Sequence, residues 1–250
     1  MINFFYDLNP ILQTFLASLV TFFATTLGAS SVYLLKGTSK MLYKILLGIA
    51  AGIMLSAAIF SLLLPAIEEA KALGFNTYLV LSSSIILGSL FLVLGEKFSN
   101  RYSNSNNGVL LVTSIILHNI PEGLSIGFAF GSALNQDAIG AALSLAIGIA
   151  IQNIPEGAAV SIPLINRGKS KNKAFLMGML SGIVEPISAV LGFLLVYNIT
   201  SLLPFLLAFA AGAMIFVVIK ELVPESQKDD SNLVAILSLV GFVLMMFLEL

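Results

Sequence analysis

The chain has 250 residues, of which 58% are hydrophobic and only 10% are charged, with a formal net charge of −1 and a mean hydropathy of +1.01. Soluble domains are roughly 45–50% apolar and ~25% charged, so this composition excludes an ordinary soluble protein and indicates a polytopic membrane protein. The absence of cysteine excludes disulfide bonds and thiolate metal sites.

Eight apolar runs are long enough to cross a bilayer, since about 20 residues span ~30 Å of hydrocarbon. They are residues 11–35, 41–66, 77–95, 109–133, 138–165, 174–197, 200–222 and 232–250. Each run is predicted to be a helix, because lipid leaves free backbone amides unsatisfied and the alternation of barrel strands is absent. The first run lacks a basic flank and is longer than the apolar part of a signal peptide, so we interpret it as a retained helix. We therefore expect an all-α protein with a single transmembrane domain over residues 1–250.

The distribution of positive charge predicts the topology. With eight spans, the loops after the first, third, fifth and seventh helices share one side of the membrane. These loops and the adjoining helix ends carry 11 of the 12 lysine and arginine residues, Lys71 being the exception. Loops rich in lysine and arginine stay in the cytoplasm. We therefore expect an integral protein of the plasma (inner) membrane with both termini extracytoplasmic.

One short motif occurs twice in the middle of the chain. The fourth run contains LHNIPEG at 117–123, and the fifth contains IQNIPEG at 151–157. A weaker match, AAGIM at 50–54 and AAGAM at 210–214, pairs runs 1–3 with runs 6–8 at an offset near 160, although small-residue motifs also recur by chance in membrane helices. Because neighbouring spans are antiparallel, these matches predict a 3+2+3 inverted repeat. Such repeats are typical of secondary transporters, whose sites lie near the membrane midplane.

Each copy of the motif carries a glutamate with polar residues three and four positions before it, so the side chains share a helix face and can reach one ligand. The two sets are His118, Asn119 and Glu122, and Gln152, Asn153 and Glu156. The proline in each copy frees the backbone carbonyl four residues earlier. A carboxylate at the bilayer centre costs roughly 2.5–3.5 kcal/mol on insertion scales, and such residues are functional by default. Two facing glutamates would repel each other unless a proton or a cation lay between them.

A third acid, Glu185, lies beside a proline in the sixth run. Glu221 stands next to Lys220 near the cytoplasmic end of the seventh run, and we interpret these two residues as an interfacial ion pair outside the site. The candidate metal ligands are His118, Asn119, Glu122, Gln152, Asn153, Glu156 and Glu185. A nitrogen and oxygen set without sulfur suits zinc, iron(II), manganese or cadmium better than copper(I). Each residue alone has a structural explanation, but the duplicated cluster favours a metal site.

These residues resemble the Zrt/Irt-like (ZIP) family of divalent-metal transporters, and within it the GufA-like bacterial branch. The family's fourth helix carries a His-Asn-x-Pro-Glu-Gly motif, which residues 118–123 match in full. Its fifth helix carries His-x-x-Pro-Glu-Gly, which residues 152–157 match except that Gln152 replaces the histidine. The GufA-like branch shares this glutamine and the VEP sequence that contains Glu185.

The resemblance implies uptake of a divalent metal toward the cytoplasm, with zinc first and cadmium, iron and manganese as further substrates. It also implies a two-metal centre with Glu122 and Glu156 as bridges, a movable bundle of helices 1, 4, 5 and 6, and a homodimer. The chain departs from many relatives, which carry aspartate in place of Asn153, a histidine or other polar residue in place of Lys220, and histidines in the loop between helices 3 and 4. We therefore expect a weaker second metal position.

Three other classes of function fit the sequence less well than metal transport. A proton- or sodium-coupled carrier of a small solute would use the glutamates as proton relays, but the fourth and fifth runs offer such a solute only Phe128 and Phe130 and no cation. An intramembrane metalloprotease needs a histidine pair, and this chain has one histidine. A purely structural protein leaves the charges unexplained. We expect a divalent ion as substrate, lipid as surroundings, and no enzymatic activity, organic cofactor or nucleic-acid partner.

Overall fold

The computed structural model describes residues 5–34, 40–102, 107–228 and 231–249. These residues form eight long helical segments, and no strand occurs among them. In chain order the segments are α1 (Pro10–Leu34), α2 (Met41–Ala72), α3 (Thr77–Tyr102), α4 (Asn107–Ser132), α5 (Gln136–Asn166), α6 (Lys171–Asn198), α7 (Thr200–Ser226) and α8 (Asn232–Glu249).

The predicted helical membrane architecture is confirmed. In the part of the chain that the structure describes, seven segments, α1 to α3 and α5 to α8, are long and apolar enough to cross a membrane. The remaining segment, α4, is a helix of 26 residues. The count of eight spans therefore stays a prediction, as does the orientation of the termini.

Local sequence signals determine several helix ends. Asn9, Asn135 and Ser170 each accept a hydrogen bond from a backbone N–H in the first turn of α1, α5 and α6, respectively. Gly74 and Gly168 adopt positive φ values of 72° and 82° directly after α2 and α5. Glycine takes this left-handed conformation without strain, so the chain can reverse within a few residues.

The helices pack as two groups. α1, α4, α5 and α6 form the first group and α2, α3, α7 and α8 the second, with α2 against α5 and α4 against α7 joining them. The most extensive contacts are α1 with α5 and α4 with α6 in the first group, and α2 with α8 and α3 with α7 in the second. The predicted repeat relates helices 1, 2 and 3 to helices 6, 7 and 8, and helix 4 to helix 5. It therefore relates the pair α1 and α5 to the pair α6 and α4, and the pair α2 and α8 to the pair α7 and α3, as the observed contacts do. The repeat itself stays a prediction.

α2 and α7 each contain one widened, π-helical turn, at Ala58–Leu63 and at Val218–Leu222. Each turn lies just before a proline, Pro65 or Pro224. In a regular α-helix the proline ring would clash with the carbonyl four residues earlier, and a widened turn relieves that clash. Turns of this kind are frequent at functional sites.

Two cavities enter the bundle from opposite ends. The inner cavity, of about 310 Å³, is lined by the first turns of α2, by α4 and by the end of α7, including Lys220 and Glu221 of the π-helical turn. This is the end that carries most of the lysine and arginine residues. The outer cavity, of about 320 Å³, is lined by the ends of α2 and α4 and the starts of α5 and α7, including Phe60 and Ser61 of the other π-helical turn.

A buried barrier separates the two cavities. On α4, His118 lines the inner cavity and Ala129 lines the outer one, and on α5 the corresponding residues are Glu156 and Leu145. Both pairs are eleven residues apart, which is about 16 Å of helix. The intervening stretches carry Ile126 and Ile149, which are buried. The predicted metal ligands of α4 and α5 lie at the inner side of this apolar layer.

Candidate metal centre

All seven predicted ligands are buried, and none is more than 4% exposed. Three lie on α4, three on α5 and one on α6, which are helices of the first packing group. The structure therefore places the polar residues of both copies of the motif, together with Glu185, inside the protein and away from lipid. Burial at this depth requires that each charged or polar group find a partner.

The glycines of the motif allow close contact between helices, while the prolines do not end the helices that contain them. α4 and α5 continue as helices through Pro121 and Pro155. A Cβ at Gly123 would lie 2.4 Å from the backbone oxygen of Glu185 on α6, and one at Gly157 would lie 2.0 Å from the backbone oxygen of Thr25 on α1. Only glycine allows such close approach of two helices. Thr25 and Glu185 are 160 residues apart, which is the offset of the predicted repeat.

Neutral side chains hydrogen-bond both carboxylate oxygens of Glu185. Oε1 accepts from Thr25 Oγ1 at 3.1 Å and from Asn119 Nδ2 at 3.2 Å, and Oε2 accepts from Asn153 Nδ2 at 2.8 Å. Glu185 also lies in the first turn of the helical stretch Val184–Asn198, where the backbone N–H groups favour a negative charge. These contacts favour the ionised form of Glu185 and offset part of the cost of burying it.

A second set of buried atoms can accept hydrogen bonds but has no partner. The six atoms are His118 Nε2, Asn119 Oδ1, Glu122 Oε1 and Oε2, Gln152 Oε1 and Glu156 Oε2. Buried groups without a partner are rare, and each costs roughly 1–3 kcal/mol. Among the described residues, eleven buried side-chain atoms have no hydrogen-bond partner, and these six are the ones that belong to the two copies of the motif. A bound cation could supply the missing interactions of several of them.

Three buried glutamates would give the centre an excess of negative charge if all of them were ionised. The carboxylate of Glu122 interacts electrostatically with those of Glu156 and Glu185. Like charges repel more strongly inside a protein than in water, because the effective dielectric constant is lower. A cation or protons must therefore accompany these carboxylates.

A further group of possible ligands lies beside His118, toward the inner cavity. The group consists of Glu96, His118 and Glu221, whose ligand atoms all lie within 4.8 Å of one another, and we call it the inner cluster. His118 Nε2 is 3.4 Å from Glu221 Oε1 and 3.8 Å from Glu96 Oε1. Over the described ranges, no other three histidine, aspartate or glutamate side chains meet this criterion. His118 thus belongs both to the buried set and to the inner cluster.

The predicted ion pair between Lys220 and Glu221 is wrong. Lys220 Nζ pairs with Glu96 Oε2 on α3, while Glu221 approaches His118. Glu96 has little signal in the sequence, since it stands beside Lys97 at the end of an apolar run and has the pattern of an interfacial residue. The sequence gives one indication of its position. α3 and α7 are both odd-numbered spans, so they both end on the side rich in lysine and arginine.

The chain is similar to a known protein family and to several known proteins. The model of the family described as ZIP Zinc transporter matches residues 101–249. Zinc transporter GufA of Myxococcus xanthus is 35% identical over 249 residues, which cover 94% of this chain and 96% of that protein. Zinc transporter ZIPB of Bordetella bronchiseptica is 35% identical over 244 residues, covering 91% of this chain and 77% of that protein.

A third relative, zinc transporter ZupT of Chlorobaculum parvum, is 32% identical over 267 residues, covering 97% of this chain and 98% of that protein. The region matched by the family model contains both copies of the motif together with Glu185 and Glu221. The similarity to these three proteins extends further, over nearly the whole chain. The chain therefore belongs to the ZIP zinc transporter family.

Proposed function

We propose that this protein transports divalent transition-metal ions across the inner membrane toward the cytoplasm, with zinc as the principal substrate. Cadmium, iron(II) and manganese are proposed as further substrates, since they accept the same nitrogen and oxygen ligands. The observation that carries the proposal is the set of six buried acceptor atoms without partners on the two copies of the motif. One divalent ion would satisfy several of them at once and would offset the repulsion between Glu122 and Glu156.

The residues with free acceptor atoms are proposed to bind the ion directly: His118, Asn119, Glu122, Gln152 and Glu156. Asn153 and Glu185 are hydrogen-bonded to each other at 2.8 Å. Asn153 Oδ1, the atom that could bind a metal, accepts a hydrogen bond from Gln152 Nε2 at 2.8 Å, so these two residues have fewer free lone pairs for an ion than the other five. We therefore propose one tightly bound ion at Glu122 and Glu156, with Asn153 and Glu185 as a weaker second position.

The cavities support a route for the ion. His118 and Glu156 line the inner cavity, so the site is open toward the end that is proposed to face the cytoplasm. None of the described residues that line the outer cavity belongs to the predicted site. This arrangement suits the release step of alternating access, in which the first packing group moves against the second. An ion that leaves Glu156 then meets the inner cluster.

A carrier of a small organic solute is the less favoured function. Polar solutes are held by donors and acceptors together, whereas five of the six atoms are amide or carboxylate oxygens. Such a set is suited to a cation. The relatives described above are also named zinc transporters.

The outer surface fits a protein embedded in lipid. Leucine and isoleucine side chains on α3 and α8 are exposed along the length of both helices, and lipid tails are as apolar as these residues.

We propose that two copies associate in the membrane as a homodimer. Chemical cross-linking in native membrane vesicles would test this association.

The function is tested in proteoliposomes that contain a zinc-sensitive dye. Zinc added outside is expected to enter, and Glu122→Gln is expected to lower the initial rate at least tenfold, because it removes a charged ligand. Glu225→Gln is the matched control, since Glu225 lines the same cavity but is paired with Lys228, and it should retain most of the rate. Equal rates for wild type and Glu122→Gln, with both proteins folded, would refute the proposed site.

A further inference from the structure

Lys220 places a positive charge directly against the inner cluster. Its ammonium group pairs with Glu96 Oε2 and lies over the ring of Phe216, 5.2 Å from the centroid. The other oxygen of that carboxylate, Glu96 Oε1, is buried and has no hydrogen-bond partner. It lies 3.8 Å from His118 Nε2. One face of Glu96 is therefore occupied by a cation of the protein, and the other face points at the possible metal ligands.

We propose that Lys220 is a tethered counter-cation, which holds Glu96 while the inner cluster is empty, competes with the metal for that carboxylate, and so speeds release of the ion. The proposal rests on the proposed function, because it concerns the last site that a transported ion would occupy before its release. A divalent ion at the inner cluster would bring two further positive charges beside the ammonium group. Lys220 must then leave Glu96, and its return helps to expel the ion.

Charge counting gives the direction of the effect. Glu96 and Glu221 together contribute two negative charges, and Lys220 cancels one of them. Removing the ammonium group restores the full attraction for a divalent ion. Because like charges a few ångströms apart interact strongly near a protein surface, we expect metal bound at the inner cluster to be held about tenfold tighter or more without Lys220.

The position of Lys220 allows the movement that the proposal requires. Its side chain is 41% exposed, while that of Glu96 is 17% exposed. The ammonium group is carried on a flexible four-carbon chain, and it borders the inner cavity of about 310 Å³. Lys220 can therefore swing into the cavity when an ion arrives, whereas Glu96 stays in place on α3.

A purely structural ion pair between α3 and α7 predicts the opposite result. If Lys220 served only to join these helices, its removal would loosen the inner cluster and weaken metal binding. The counter-cation role predicts tighter binding together with slower turnover. The sign of the change in affinity therefore separates the two roles.

The experiment compares three variants with wild type. Lys220→Met keeps the length of the side chain and its contact with Phe216 but removes the charge, and Lys220→Arg keeps the charge. Lys228→Met is the matched control, because it removes a cation that lines the same cavity and pairs with Glu225 rather than with the inner cluster. Zinc affinity is measured in detergent by competition with a fluorescent chelator. The initial rate of zinc uptake at saturating zinc is measured in proteoliposomes.

Lys220→Met is expected to bind zinc about tenfold tighter than wild type and to transport it several-fold more slowly. Lys220→Arg and Lys228→Met should remain within about twofold of wild type in both measurements. Unchanged or weaker binding by Lys220→Met would overturn the proposal. If Lys220→Met binds zinc no tighter than wild type, while wild type transports zinc and Glu122→Gln does not, then only the role of Lys220 is refuted and the proposed function stands. If wild type transports no divalent metal, the proposed function itself fails.

A second measurement uses only the wild-type protein, so it does not depend on the folding of a variant. An amine-reactive reagent is applied with and without zinc, and modification of Lys220 is quantified by mass spectrometry relative to Lys228. Zinc is expected to increase the relative modification of Lys220, because the metal displaces the ammonium group from Glu96. A decrease, or no change, at zinc concentrations that saturate binding would overturn the proposal.

Discussion

Gly157→Ala tests whether the close approach of α1 and α5 maintains the metal centre. A Cβ at this position would lie 2.0 Å from the backbone oxygen of Thr25 and 2.9 Å from the backbone nitrogen of Ala29. Ordinary carbon–oxygen contacts begin near ~3.3 Å, so the helices would have to separate by more than ~1 Å. Both contacting atoms are backbone atoms, which cannot move aside as a flexible side chain can.

The expected change in the free energy of unfolding of Gly157→Ala is the difference between two opposing effects. Overpacking typically costs about 1–3 kcal/mol, and a clash with backbone belongs at the upper end of that range. Alanine returns up to about 1 kcal/mol through its higher helix propensity. The net loss is about 2 kcal/mol, which lowers the unfolding midpoint of a chain of this size by roughly 4–8 °C.

Gly140→Ala provides the matched control on the same helix. The nearest atom to a Cβ at Gly140 is the Tyr6 hydroxyl oxygen at 3.9 Å, so only the gain in helix propensity remains, and the midpoint should stay the same or rise. The chain has no tryptophan, so unfolding is followed by far-ultraviolet circular dichroism in detergent. Zinc uptake by Gly157→Ala should also fall, because Thr25 hydrogen-bonds Glu185. Equal stability of Gly157→Ala and Gly140→Ala would refute this account of the packing.

Two more predictions concern the hydrogen bonds and the protons of the centre. Thr25→Val keeps the shape of the side chain but removes the donor 3.1 Å from Glu185 Oε1. We expect the free energy of unfolding to fall by about 1–2 kcal/mol, which is measured as a lower unfolding midpoint. A midpoint equal to that of wild type would show that the hydrogen bond contributes nothing to stability. Acidifying both sides of the proteoliposome membrane from about pH 7.5 to about pH 5.5 should slow zinc uptake, because protons compete with metal for His118 and the glutamates; a rate that rises on acidification would contradict the proposed ligands.

The helices and the buried acids could be predicted from the sequence, because both depend on local chemistry. An apolar run of about 20 residues has few alternatives to a membrane helix. Glu122 and Glu156 interrupt such runs, so their depth in the membrane follows from the position of the run, and the cost of exposing a carboxylate to lipid predicts that they face the protein interior. The observed segments α5 and α6, at Gln136–Asn166 and Lys171–Asn198, extend the predicted runs 138–165 and 174–197 by only a few residues.

The contacts between helices could not be predicted, because they depend on the rotation and depth of each helix. Asn119 and Asn153 share a motif pattern with their glutamates, yet their amide groups donate to Glu185 on a third helix. Lys220 and Glu221 are adjacent in the sequence, and the π-helical turn directs them to different partners, Glu96 and His118. Pro224 signals a disturbed helix, but whether the helix kinks or widens is decided by packing.

The thinness of the barrier between the two cavities has an electrical consequence. Water and ions that fill the cavities would concentrate the membrane potential across the intervening ~16 Å of helix rather than across the full bilayer. A bare divalent ion that crosses this layer inward gains about 4.6 kcal/mol for every 100 mV of inside-negative potential. That energy corresponds to an accumulation on the order of a thousandfold. In the proposed orientation, nearly all of the membrane potential would therefore act on the ion within this one layer.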